Sequence, residues 1–536
     1  MPNIFNSVAV KKPKRSKFDL SHEVKMSMNM GTLTPCLVLP CVPGDRIKLN
    51  AQALVRMAPM IAPLMHRVNA TIHYFFVPNR LIWDNWENFI TKTTVGTPAV
   101  VPELPVIYLS RNRYDLFPKM DYMGLPRPQS DAAEIAVSAL PFAAYNKIYN
   151  EYYRQQYVQP EILDQLVDGS NMANLAALMT MKQRAWMHDY FTSGLPFAQK
   201  GEEVTVPLGD IELKPDWYAD DQKPTWDTHL GSGDTLSGFQ PLNVSADGSG
   251  PSTSPSSDPF EAGGQYMQVE NTPEDPYRRQ AYDPNGSLQA APVTINELRR
   301  AESLQAFLEL LARGGSRYVE YIKNFFNVKP EDYRLQRPEF ICGISSPVQI
   351  SEVLNTTGND GQLPQGNMSG HGAAVVRGNA GTYSCKEHGY IIGIMSVTPV
   401  TAYQQGIPRD YLKYETEDFF VPQFEGLGEQ NVWNAELYCT LDGVVDDTGT
   451  FAYVPRHSEY KYMPSRVAGD FKTSLSYWHL GRIFDELPTL SPEFLECNPR
   501  TDIFAVTDPD AQKLYVHLAN MINASRPMRK YTIPTL

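Results

Sequence analysis

Hydrophobic and polar positions alternate most cleanly over residues 68–77. There Val68, Ala70, Ile72, Tyr74 and Phe76 fall on one face, and Asn69, Thr71, His73 and Phe75 on the other. A period of two in β-branched and aromatic residues predicts a half-buried antiparallel strand, and Pro78-Asn79 ends it. On this strand His73 reads as a hydrogen-bonded interface residue. Further β signals lie at 37–39, 47–49, 390–397 and 432–441, far enough apart that long-range pairing has to close the sheets. Two stretches follow a helical period instead. Over 131–158 the aromatic and aliphatic positions Phe142, Tyr145, Ile148, Tyr149 and Tyr152 share a face, and Pro141 suits a first turn. Over 295–313 Thr294 and Glu297 form a capping-box pattern, Leu298, Ala301, Leu304, Leu308 and Leu311 make one stripe, and Gly314-Gly315 ends it. The stripe is expected to pack into the core.

Strands far apart in sequence, with no repeated strand–helix–strand unit, imply an all-β sandwich with long loop insertions that contain helices. The 43 prolines agree with this, since proline belongs in loops and at strand edges. Between the two helical stretches, residues 201–290 hold ten Gly, ten Pro and nine Ser but only thirteen Leu, Ile, Val and Phe. That density is too low for a core of its own. Trp217, Tyr218, Trp226 and Tyr266 point to a surface loop ordered in part by its neighbours.

Charge sharpens the division. Of the formal net charge of −13, residues 201–290 carry −12, so the rest of the 536-residue chain is nearly neutral. A nearly neutral body can bind nucleic acid locally. The candidate contact is the cluster Lys11, Lys12, Lys14, Arg15 and Lys17, which has no acid within it and is held extended by Pro13. Three parts follow: a basic arm over 1–30, a core over 31–204 and 291–536, and an acidic surface insertion over 205–290. No window is apolar enough to span a bilayer and no leader-like segment opens the sequence, so the chain is expected to be made and kept in the cytoplasm until it assembles.

Catalytic patterns are lacking: there is no Walker A loop, no dinucleotide fingerprint, no HExxH helix and no GxSxG elbow. The six cysteines make no disulfide framework and are expected reduced and mostly buried. Cys385 and His388 have a ligand-like gap but no second pair beside them. Asp442, Gly443, Asp446 and Asp447 read as a hairpin and its loop in preference to a calcium site. No catalytic, metal or cofactor residue is assigned.

Several strings carry a resemblance. FDLSHEVKMSMNMGTLTPC at 18–36, APMIAPLMHRVNATIHYFFVPNRLIWDNWENFIT at 58–91, SALPFAAYNKIYNEYYR at 138–154 and HDYFTSGLPFAQKG at 188–201 resemble the gokushovirus (Microviridae) major capsid proteins. So do ARGGSRYVEYIKNFFNV at 312–328, RLQRPEF at 334–340, LGEQNVWNAELY at 427–438, SEYKYMPSRVAGDF at 458–471 and the closing ASRPMRKYTIPTL. Gly194-Leu195-Pro196-Phe197 departs from the family's Ala-Leu-Pro-Trp, and 205–290 has no match. The resemblance implies an eight-stranded antiparallel jelly roll of the viral capsid type. Many copies would form a T=1 icosahedral shell around a circular single-stranded DNA phage genome. It also implies a small basic internal DNA-binding protein and a minor pilot protein as virion partners. The insertion would stand at the threefold axes and meet a host cell-surface receptor. The rival classes are a receptor-binding spike protein and a β-sandwich carbohydrate-active enzyme. The first lacks the expected repeats, and the second lacks a locatable carboxylate pair.

Overall fold

The computed structural model describes residues 15–95, 100–201, 204, 294–315, 317–354, 368–424, 426–443 and 446–531, and five short strands between 211 and 290. The chain forms two compact units, Met1–Lys200 with Leu308–Leu536, and Gly201–Phe307. Most residues of the acidic insertion, and Lys11, Lys12 and Lys14, lie outside the described residues.

Two antiparallel sheets make the centre of the larger unit. Ten strands contribute: β1 (Ser16–Asp19), β2 (His22–Met28), β3 (Thr34–Cys41), β4 (Arg46–Met57), β5 (Val68–Pro78), β6 (Glu339–Pro347), β7 (Gln349–Leu354), β8 (Met368–Ser384), β9 (Gly389–Pro399) and β10 (Leu514–Arg526). The first sheet runs β1–β10–β4–β8–β7, with β2 also on β10, and the second runs β6–β5–β9–β3. β1 and β2 share one edge of β10, from Ser16 opposite Arg526 to Met28 opposite Leu514. Gly381 takes a φ of +99° where β8 bulges against β4, a conformation glycine adopts without penalty.

Alternation explains the core between the sheets. In β4, Ile47, Leu49, Ala51, Ala53, Val55 and Met57 are buried while Arg46, Lys48, Gln52 and Arg56 are exposed. The inward residues of β4, β8 and β10 form one cluster with Leu37, Leu39, Val68, Ile72, Phe76 and Ile391 of the second sheet. One polar tie crosses it. The buried Asn520 on β10 donates to the Cys36 carbonyl at 3.1 Å and accepts from the Tyr74 hydroxyl at 3.2 Å.

The second sheet is covered on its far side as well. Helix α1 (Leu140–Ile148) continues into a π turn at Tyr149–Tyr153 and lies in a second cluster with Phe75, Val77, Ile392 and Ile394. β5 is therefore buried on both faces and is not the half-buried strand expected from its pattern. Asn146 and Asn150 on this helix donate to the carbonyls of Leu163 and Ile162, at 2.6 and 2.7 Å, and so pin an irregular stretch of chain. The fully buried Lys119 donates to Asn146 Oδ1 at 2.6 Å and to the Leu178 carbonyl at 2.8 Å.

Three expectations change. Residues 131–139 are not helical: Ile135–Ser138 is a short strand paired with Val106–Leu109. The strand expected at 432–441 ends at Trp433, and Asn434–Leu437 is a helical turn. Glu436 is the reason, for it is buried there and accepts from Trp433 N at 2.9 Å, Tyr190 Oη at 2.9 Å and Arg409 Nη1 at 3.0 Å. Helix α2 (Ile295–Gly314) forms as expected, with both capping-box bonds between Thr294 and Glu297. Its stripe is not core, however: Leu298 and Leu304 stay 49% and 45% exposed, and Ala312 is its buried residue. A helical period marks an apolar face without saying whether the same chain covers it.

Candidate nucleic-acid interface

Two of the five arm cations are described. Arg15 is exposed and donates from Nη2 to the Gly44 carbonyl at 2.5 Å. Lys17 is exposed on β1, opposite Ser525. Residues 16–28, expected within the arm, are thus edge strands of the first sheet. From the other end Arg526 reaches the same turn, donating to the Pro40 carbonyl at 2.9 Å and pairing with the buried Asp45 at 3.5 Å. The turn at 42–45 thus takes contacts from both Arg15 and Arg526.

The titratable groups elsewhere look structural. Burial, and secondarily the charge of Arg184, hold His73 at about 4, so it is neutral at pH 7. Its Nδ1 sits 2.8 Å from the Tyr153 hydroxyl and its ring stacks on that tyrosine. His73 thus sits in an intrachain contact between β5 and the π turn. Burial raises Glu436, but its three donors occupy the carboxylate. Cys36, Cys41, Cys385 and Cys497 are buried free thiols, and Cys342 and Cys439 are half-buried. Burial pushes the Cys36 and Cys497 thiols up to about 12, where a thiolate is scarce. Among the described residues no group of three or more His, Cys, Asp or Glu is placed to hold a metal ion. Glu429–Trp433 pairs with Thr450–Pro455, and Asp442, Gly443, Asp446 and Asp447 lie in the long connection between these strands. Asp447 accepts from Leu441 N at 3.2 Å and Asp446 from Thr448 N at 3.2 Å. No described helix is long and apolar enough to cross a membrane.

Large apolar side chains stand exposed in one stretch of the C-terminal half. Tyr411 is 76% exposed, Tyr414 72%, Phe419 51% and Met463 86%.

The comparisons with known proteins agree. Residues 6–536 match the family model described as capsid protein (F protein), so the chain belongs to that family. The capsid protein VP1 of Bdellovibrio phage phiMH2K is 34% identical over 97% of this chain and 95% of its own length. That of Chlamydia phage 1 is 33% identical over 100% and 98%, and that of Spiroplasma virus 4 is 29% identical over 97% and 95%. The capsid-protein resemblance read from the strings is borne out. The protein is structural, a component of a multi-subunit virion shell and not an enzyme.

Proposed function

We propose that this chain is the major capsid protein of a small phage and assembles into a T=1 icosahedral shell around a circular single-stranded DNA genome. The observation that carries the reading is similarity to VP1 capsid proteins along 97–100% of the chain. We further propose that β2, β10, β4 and β8 in one sheet, and β3, β9, β5 and β6 in the other, are the eight strands of a jelly roll. The pairing order supports this, because successive strands switch sheets at every step from β2 to β5 and again from β6 through β8 and β9 to β10. In this reading the segment before Arg15 faces the interior, and Lys11, Lys12, Lys14, Arg15 and Lys17 meet packaged DNA. The insertion over 205–290 projects at the threefold axes and engages a host cell-surface receptor. A small basic DNA-binding protein and a minor pilot protein complete the virion, and the subunit is made in the host bacterial cytoplasm. Negative-stain microscopy of the purified chain tests the central point. Closed isometric shells are the expected result, and only trimers or monomers under assembly conditions would overturn it. Shortening the insertion is expected to leave the core folded and to reduce host attachment, since loop length alters stability only slowly.

A further inference from the structure

One buried histidine outside the two sheets sits where a proton is unwelcome. His457 follows the strand Thr450–Pro455 and caps the 3₁₀ turn Ser458–Tyr460. Its φ is +60°, a left-handed conformation uncommon outside glycine. Its backbone N–H donates to Oε1 of Gln430, on the paired strand Glu429–Trp433, at 2.9 Å. The residue is 2% exposed, yet among the described residues neither ring nitrogen has a hydrogen-bond partner. The ring instead packs against two aromatics, with centroids 5.5 Å from Phe420 and 6.1 Å from Tyr460. Buried polar atoms left in this way are few in a folded protein, and each calls for a cause.

The charges around the ring are already matched. Glu459 lies nearest, its Oε1 3.9 Å from Nδ1. That carboxylate is committed elsewhere: it pairs with Lys413 Nζ at 3.2 Å and accepts from Gln430 Nε2 at 2.9 Å. Lys413 follows the turn Arg409–Tyr411, pairs also with Asp410 at 2.7 Å, and stands 3.8 Å over the Tyr460 ring. Arg456 and Lys461 approach along the segment of His457 itself, and Arg456 pairs with Glu417 at 3.8 Å. A proton on the ring adds one more cation to this enclosed group. Burial holds His457 below its ordinary 6.5, against the pull of Glu459 and with the help of Arg456, Lys413 and Lys461.

The same ring is a fastening. Phe420 and Tyr460 come from separate stretches of chain, and the Lys413–Glu459 pair joins those stretches a second time. The first stretch carries the exposed Tyr411, Tyr414 and Phe419.

We propose that His457 is an acid-operated catch. While neutral, it holds the stretch 409–420 against the strand pair through Phe420 and Tyr460. On protonation the ring turns out to solvent and frees that stretch. Such a catch works within a single subunit and does not depend on the shell reading. A histidine with a folded value below its unfolded one contributes stability that is full above 6.5 and drains away as pH falls toward the folded value. Opening therefore becomes easier by up to about tenfold for each pH unit below 6.5, until the folded value is reached.

Hydrogen exchange of the full-length chain, read on peptides by mass spectrometry and corrected for the intrinsic effect of pH, tests this between about pH 7.5 and 5.5, where histidine titrates and ordinary carboxylates stay charged. Peptides over 409–420 and 457–463 are expected to exchange severalfold faster at the lower pH, up to about tenfold, while those over β4 keep their rates. His457→Asn suits the left-handed backbone but takes up no proton. It is expected to abolish the acid response whatever its baseline rate. His457→Gly serves as a second proton-free variant with the same expectation, and thermal melting at neutral pH shows which of the two is folded. Unchanged rates in the unaltered chain, an equal rise over β4, or the same rise in a folded His457 variant overturns the proposal.

Discussion

Strands β4 and β5 follow one another in the chain and alternate alike, yet they end in different surroundings. β4 meets water at Arg46, Lys48, Gln52 and Arg56, while β5 is enclosed on both sides. The cause is the insertion after β5, whose helix α1 lies in the same core as Phe75 and Val77. The composition of the alternate positions records this: β4 carries charge on its second face, whereas β5 carries Asn69, Thr71, His73 and Phe75, which tolerate cover. An alternating strand therefore fixes two faces but not the fate of the weaker one, and a row of charged residues there favours exposure.

Substitutions can break or sharpen that contrast. The largest effect is expected from Phe75→Ala, which empties a site packed by Tyr152, Tyr153 and Phe340. Denaturant unfolding of the purified subunit should register a loss of about 3–5 kcal/mol, and a loss near zero would mean that α1 does not cover β5. Next comes pH. His73 has a folded value of about 4 against an ordinary 6.5, so the unfolded chain takes up the proton first as pH falls. Its contribution is full above 6.5 and drains away as pH falls toward 4, by about 3 kcal/mol in total. His73→Gln should flatten the difference curve in that window, and identical curves for the two proteins would contradict the burial. Asn520→Ala leaves the Tyr74 hydroxyl and the Cys36 carbonyl without their partner, and a loss of about 2 kcal/mol is expected from the same unfolding measurement. The smallest effect belongs to the open face. Leu54→Ala should change stability by less than about 1 kcal/mol, and a loss as large as that of Phe75→Ala would show that this face is covered in the free subunit.

How much of this was legible depends on the range of the interaction that decides each feature. The strands at 68–77 and 390–397 and the cap at Thr294 and Glu297 are local patterns, and each lies within an element of the structure. Trp433 to Leu441 misled because a buried carboxylate at Glu436, held by Arg409 and Tyr190 from distant segments, bends the chain into a helical turn. Cover over β5 was equally illegible, since it comes from residues 140–153. For the charged face of β4 the sequence offers half the answer. Arg46, Lys48 and Arg56 occupy alternate positions within β4, opposite Ile47, Leu49 and Val55, and could have been grouped from that period. Lys25 and Arg377 join them only through strand register, which no local pattern reports.

The pairing of β10 also sets a schedule for synthesis. Leu514–Arg526 is not an edge strand. It lies between β4 and the joined β1 and β2, so its absence leaves both neighbours with unpaired backbone. While the ribosome is still translating, Met28 and Met57 wait for Leu514, and hydrophobic rows on two early strands stand open to solvent and to other nascent chains. Such late, non-local closure slows folding and exposes sticky intermediates. The same arrangement works as quality control: a product terminated before residue 514 cannot complete the sheet and so cannot poison a shell with a subunit that is nearly right.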